Sequence, residues 1–258
     1  MPVEVAREAR SGGGVVARVT IANEPRLNSL NRALMGEFLA AMAGIARDPD
    51  LRLAILTGAG GKAFVGGADI NELAALDRDS ARDFITLVHR CCDACRRLPV
   101  PVIARIDGYA LGAGLELAAA CDLRVASSKS QFGMPEVRIG LPSVVEAALL
   151  PRLVGAARAR NLVLTGEMID APTALAWGLV DAVGEPDAEV ERFAAPILDS
   201  GPQAIRIQKA LVLDWEEAPS TSAAVQRGID RFVEAFDTDE PQRMTAERLA
   251  AMRARRGR

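Results

Sequence analysis

Four short apolar runs, Val15 to Ile21, Leu51 to Leu56, Val102 to Ile106 and Leu123 to Ala126, recur along the first half of the chain, each bounded by Gly, Asn, Asp or Ser in the manner of strands. Between them the apolar spacing switches to that of helices. Leu30, Leu34, Phe38, Met42 and Ile45 form one stripe within Leu30 to Ala46. Ser80 to Leu98 carries Phe84, Leu87, Val88, Cys91 and Cys95, and opens with Ser80-x-x-Asp83, the form of a capping box. Strand-like and helical segments in alternation predict an α/β core. After Leu141 the pattern is almost wholly helical: Ser143 to Leu153, Ala156 to Thr165, Pro172 to Gly178, Asp187 to Asp199, Gly201 to Asp214, Ser220 to Phe236 and Glu240 to Arg256, with Leu179 to Val183 as the one short strand. A soft boundary is expected within Asp187 to Asp199, dividing the chain into a core of residues 1–190 and a helical region of residues 191–258.

A chain of 258 residues, half of them hydrophobic, can bury a large core. A net charge of -3 and a single Tyr offer neither attraction to a phosphate backbone nor a stacking platform, so nucleic acid is not an expected partner. Every apolar run is broken well short of a bilayer span and the first ten residues lack an apolar segment, so no membrane association is expected and the protein is placed in the cytoplasm. Cys91, Cys92 and Cys95 lie close together near His89, but no second ligand pair follows at a metal-binding spacing, and a half-buried helix accounts for them. His89 is the only histidine; read as a packing or surface residue of that helix, it leaves no Ser-His-Asp triad. The basic end, Arg253 to Arg258, reads as a solvated terminus that could also meet an anion.

Two glycine-rich stretches carry the chemistry. Gly58-Ala59-Gly60-Gly61-Lys62-Ala63 follows a strand and fits a G-x-G-x-x-A pattern. However, Phe64-Val65-Gly66-Gly67 interposes more loop before a helix can begin, and Walker A fails because Ala63 follows Lys62. In Phe64-Val65-Gly66-Gly67-Ala68-Asp69-Ile70 and again in Gly108-Tyr109-Ala110-Leu111-Gly112-Ala113-Gly114-Leu115-Glu116, glycines free the backbone just before a small residue and a helix start. If the Ala68 and Ala113 amides converge, two N–H donors face one oxygen, the geometry of an oxyanion hole. The same residues also fit two tight loops with glycine at positive φ.

Glu116 is set in an otherwise apolar helical stretch, where burial would raise its proton affinity and suit it to acid–base work; as an acid near a helix start it could equally just complement the dipole. Glu136 follows Gly133 and Pro135 on a stiffened loop and gains interest from its pairing with Glu116. Glu146, in Ser143-Val144-Val145-Glu146, reads more simply as the far half of a capping box.

Together these segments, with Pro101 to Asp122, Gln131 to Glu136 and Leu162 to Val180, resemble the enoyl-CoA hydratase/isomerase (crotonase) family. The resemblance runs through most of the chain. It implies a spiral of ββα units followed by a C-terminal helical region that builds homotrimers or homohexamers, and an acyl-CoA thioester as substrate with no separate cofactor or metal. It further implies catalytic roles for Glu116, Glu136 and the amides of Ala68 and Ala113. Ala68, Asp69, Ile70, Asn71 and Ala113 are the implied ligand-lining positions, and Arg26 and Lys62 are candidates for the coenzyme A end. The implied reaction is hydration of a 2-enoyl-CoA to a 3-hydroxyacyl-CoA. The two glutamates hold a water that adds at Cβ, and one of them, expected to be Glu136, protonates Cα. Isomerisation, carnitinyl-type dehydration, thioester hydrolysis and simple acyl-CoA binding are the alternatives. The chain departs from many hydratases at Gly140 to Leu149, which lacks a Gly-rich turn leading to Thr-Gln-Arg and borders the acyl pocket in relatives.

Overall fold

Each apolar run of the sequence becomes a buried strand. The computed structural model describes residues 2–10 and 13–256, so Gly257 and Arg258 of the basic end lie outside the described residues. The chain divides into two compact units, residues 1–195 and 196–258.

In the first unit, β1 (Val3–Ala9), β2 (Val15–Ile21), β3 (Leu51–Gly58), β5 (Val102–Ile106), β7 (Leu123–Ala126) and β10 (Ala182–Val183) form one sheet in the order β1-β2-β3-β5-β7-β10. Only β1 runs antiparallel to its neighbour. The continuous apolar run of β3, buried along its first seven residues, is what a parallel strand covered on both faces requires. A second sheet pairs β4 (Ala63–Val65), β6 (Tyr109–Leu111), β8 (Gln131–Gly133) and β9 (Met168–Asp170), in that order. The chain thus steps three times from the large sheet to the small one, β3 to β4, β5 to β6 and β7 to β8, with helical segments after each step: the spiral of ββα units that the resemblance implied. The small sheet's strands are three residues long, too short for any periodicity to mark them in the sequence.

The helices are α1 (Arg32–Ala46), α2 (Ile70–Ala74), α3 (Arg78–Arg96), α4 (Ala113–Ala119), α5 (Leu150–Val154), α6 (Ala156–Thr165), α7 (Ala171–Trp177) and α8 (Pro186–Leu198). Two expectations are corrected here. Helix α3 starts two residues before Ser80: Asp77 is the N-cap and accepts from the Ser80 N–H at 2.9 Å, while the Ser80 hydroxyl accepts from the Asp77 N–H at 2.9 Å. The acid in this capping box therefore precedes the serine, because a carboxylate at the N-cap satisfies an orphan amide directly. The strand expected over Leu179 to Val183 shrinks to Ala182–Val183, and Leu179 and Val180 are buried in the turn before it.

The second unit holds α9 (Pro202–Glu217), α10 (Thr221–Glu234) and α11 (Glu240–Arg256). Buried Glu240 caps α9 by accepting from the Gln203 and Ala204 amides at 3.1 and 2.9 Å. Val225, Ile229, Phe232 and Val233 leave an exposed apolar stripe along α10. Among the described residues no helix is long and apolar enough to cross a membrane.

Candidate active site

The two glycine-rich stretches meet because glycine lets their backbones touch. A Cβ on Gly114 would overlap the Val65 carbonyl, and one on Gly67 would lie 3.2 Å from the Leu111 carbonyl oxygen. Gly67 and Gly112 take φ of +113° and +51°, conformations that a side chain disfavours. On the first loop, Leu30 bridges across Ala68: its N–H donates to the Gly67 carbonyl and its own carbonyl accepts from the Asp69 N–H, both at 2.8 Å. Pairing on either side leaves the intervening Ala68 N–H outside the ladder. On the second loop Ala113 is the first residue of α4, where an amide has no intrahelical acceptor. Among the described residues neither amide meets an acceptor.

Ala68, Ala113, Glu116 and Glu136 all line one cavity of about 370 Å³. Glu116 comes from the first turn of α4, is 3% exposed, and accepts from the Ala147 N–H at 3.2 Å. Its carboxyl is pushed up to about 8, first by burial and then by the Glu136 charge, against the pull of the Ala147 hydrogen bond. Glu136 enters on a 3-10 turn, Pro135–Ile139, and accepts from the Ser143 hydroxyl at 2.8 Å. Gly112 is packed against it so closely that a Cβ there would collide with its carboxylate.

The capping-box reading of Ser143 and Glu146 does not hold. The 3-10 turn Val145–Leu149 is preceded by Val144 with no side-chain cap, the Ser143 hydroxyl serves Glu136, and Glu146 is buried, 2.8 Å from His89 Nδ1. A tertiary partner 57 positions away outcompeted the local contact. His89, read as packing or surface, therefore holds a buried carboxylate. The cysteines of α3 face inward: burial pushes the Cys91 thiol up to about 12, and Cys92 is raised well above its ordinary value by burial and then by the charges of Glu146 and Glu116.

The remaining sequence candidates separate. Ile70 lines the cavity. Asp69 does not; it is buried, caps α2 through the Asn71 and Glu72 amides at 2.9 and 3.3 Å, and pairs with Arg26 at 3.0 Å. Burial raises the Asp69 carboxyl, but hydrogen bonds from Asn71, Glu72 and Arg26 more than offset this and hold it below the usual carboxylate range. Asn71 and Lys62 are exposed and lie outside the cavity lining, as does Arg26. The apolar wall was not anticipated: Phe84, Ile85 and Val88 of α3 face Leu141 and Val144 from the segment where the sequence departs from many hydratases. On a helix, a stripe facing a cavity carries the same 3.6-residue signature as one facing core.

Comparison with known proteins agrees with this architecture. The enoyl-CoA hydratase/isomerase family matches residues 11–250. A crotonyl-CoA hydratase of Syntrophomonas wolfei is 37% identical over 230 residues, covering 87% of this chain and 88% of its own. A short-chain-enoyl-CoA hydratase of Clostridium acetobutylicum is 37% identical over 238 residues, covering 90% and 91%. The crystal structure of an enoyl-CoA hydratase from Bacillus anthracis superposes with a TM-score of 0.88 at 29% identity, covering 99% of this chain and 97% of that one. With the fold, the paired carboxylates and a family match over nearly its whole length, the chain belongs to the enoyl-CoA hydratase/isomerase family.

Proposed function

We propose that this protein adds water across the double bond of a 2-enoyl-CoA, or removes it in the reverse direction, with Glu116 and Glu136 as the acid–base pair and the Ala68 and Ala113 amides as an oxyanion hole. The observation that carries the reading is that all four groups line one cavity whose remaining wall is mostly apolar. A thioester oxygen between the two amides would gain hydrogen bonds that strengthen as an enolate forms, and one such donor is worth about 3 to 4 kcal/mol in other enzymes.

Hydration needs one proton on the carboxylate pair: one member takes a proton from water as oxygen adds at Cβ, and the other gives one to Cα. Glu116, whose carboxyl is pushed up to about 8 chiefly by burial, is the proton's resting place. For Glu136 to protonate Cα, that proton first passes through a bound water to Glu136, leaving Glu116 as the base that takes a proton from the attacking water. Two acids in one cavity favour hydration over isomerisation, which requires a single proton carrier.

The substrate is read as an acyl-CoA with a short acyl group, supported by the modest cavity and by the names of the two relatives above. The exposed apolar stripe on α10 supports self-association, which we read as a homotrimer or homohexamer, and the protein is read as cytoplasmic. The test is to incubate the purified protein with a panel of enoyl-CoA thioesters and follow loss of the conjugated-thioester absorbance and the mass gain of one water. Turnover by the wild type and its loss in Glu116→Gln and Glu136→Gln is expected; turnover intact in Glu116→Gln overturns the assignment.

A further inference from the structure

Glu146 does not line the cavity, and the reaction as written makes no use of it. Its side chain is 4% exposed, Oε1 lies 2.8 Å from His89 Nδ1, and the buried Cys92 thiol of α3 lies within hydrogen-bonding reach of the carboxylate. A carboxylate is rarely buried this deeply unless its partners hold it in a particular place. The backbone beside it is strained as well. Val145 has φ +38°, an outlier for a β-branched residue and one that persists only where its surroundings enforce it.

That strained turn is the one whose Ala147 N–H donates to Glu116 at 3.2 Å. Glu146 immediately precedes Ala147, so whatever pins Glu146 also pins the amide on Glu116. The pin is His89, whose side chain is half exposed on α3 and spans from solvent to the buried carboxylate.

We propose that the His89–Glu146 pair is a positioning device for Glu116: it clamps the Val145–Leu149 turn so that the Ala147 amide stays on the Glu116 carboxylate, and it fixes a third carboxyl group behind the acid–base pair. The proposal rests on the reading of Glu116 as one of the two acids, but the clamp can be observed without turnover. The groups facing Glu116 are Glu136 from the turn after β8, Glu146 from its own turn and Cys92 from α3; those facing Glu146 are His89 and Cys92 from α3 and Glu116 from α4. In this set the Glu146 charge acts against ionisation of Glu116, while the Ala147 amide acts for it, so the pair holds both opposing influences in place.

The experiment uses the full-length protein and two readouts independent of activity. Infrared difference spectra across a pH titration follow the protonated-carboxyl band that disappears in Glu116→Gln. In Glu146→Gln its midpoint is expected to move to lower pH by about half a unit or more, because a neutral amide replaces the opposing charge. Hydrogen exchange of the peptide spanning residues 144–150 is expected to accelerate about tenfold or more in His89→Ala. Because Asn Nδ2 sits close to where His Nδ1 does, His89→Asn should restore protection. Where hydration is measurable, His89→Ala lowers kcat about tenfold with KM little changed, and His89→Asn recovers it.

A folded Glu146→Gln protein with an unmoved carboxyl midpoint overturns the electrostatic part, and wild-type exchange in His89→Ala overturns the clamp. Should Glu146→Gln fail to fold, the exposed His89 variants decide the proposal through exchange. A wild type that hydrates nothing removes the hydratase reading while both readouts still decide the pairing.

Discussion

Replacing Glu116 by Gln should make the protein more stable while abolishing hydration. In the folded protein this carboxyl is pushed from 4.5 up to about 8, chiefly by burial. At about 1.4 kcal/mol for each tenfold change in proton affinity, an ionised Glu116 destabilises the fold by about 5 kcal/mol relative to its protonated form. The folded state binds this proton more tightly than the unfolded chain. The stability it contributes is therefore full below about pH 4.5, falls steadily, and is lost once pH passes through about 8. At pH 7 most of that loss has occurred, about 3 kcal/mol. A neutral Gln of the same shape escapes it and can still accept from the Ala147 amide. Allowing about 1 kcal/mol for imperfect packing, Glu116→Gln should be about 2 kcal/mol more stable than wild type at pH 7 and about 4 kcal/mol more stable at pH 9. Urea unfolding at fixed protein concentration, repeated from about pH 5 to 9, measures the difference between the two proteins, which cancels the titrating groups that are not coupled to Glu116. The difference should grow by about 1.4 kcal/mol per pH unit through the middle of that range. On the same preparation, hydration should drop by about 10²- to 10⁴-fold. A stability difference that does not change with pH, or a Gln variant weaker at every pH, would show that the carboxylate is not desolvated and refute the reasoning.

Four further outcomes are expected. The pH profile of kcat/KM should fall on its alkaline side near pH 8, where the carboxylate pair loses its last proton, and steady activity to pH 10 would contradict the one-proton mechanism. Gly112→Ala, whose new methyl meets the Glu136 carboxylate at a backbone φ of +51°, should lower kcat about tenfold or more and destabilise the fold by about 1 to 2 kcal/mol, as read by steady-state kinetics and thermal unfolding. Gly114→Ala places a methyl inside the Val65 carbonyl and should give little folded protein on circular dichroism. Asp69→Ala removes the α2 cap and the Arg26 pair, so urea unfolding should show a loss of about 1 to 2 kcal/mol at neutral pH that disappears in acid; the lowered Asp69 carboxyl contributes only while ionised.

By itself the sequence determined the four inner strands β2, β3, β5 and β7 of the large sheet, most helices and the two glycine-flanked helix starts, because each is written in a local rule: an unbroken apolar run, a stripe of period 3.6, a glycine before a small residue; the mostly exposed β1 carries no such run and went unread. It also pointed to Glu116, since a carboxylate amid Leu and Ala has few innocent explanations. Local rules failed where the deciding partner lay far along the chain. Ser143 and Glu146 satisfied a capping-box spacing, yet Glu136 and His89 claimed them across the fold. Asp69 caps α2 through neighbours two and three residues on, a local role, but its ion pair with Arg26, 43 positions away, could only be seen in the fold. The apolar wall from α3 stayed hidden because the sequence records which side of a helix is buried, not whether core or cavity lies beyond. Only the tertiary structure brought Glu116, Glu136 and Glu146 close enough for their charges to act on one another, and that mutual burial is what lets an ordinary glutamate carry a proton near neutral pH.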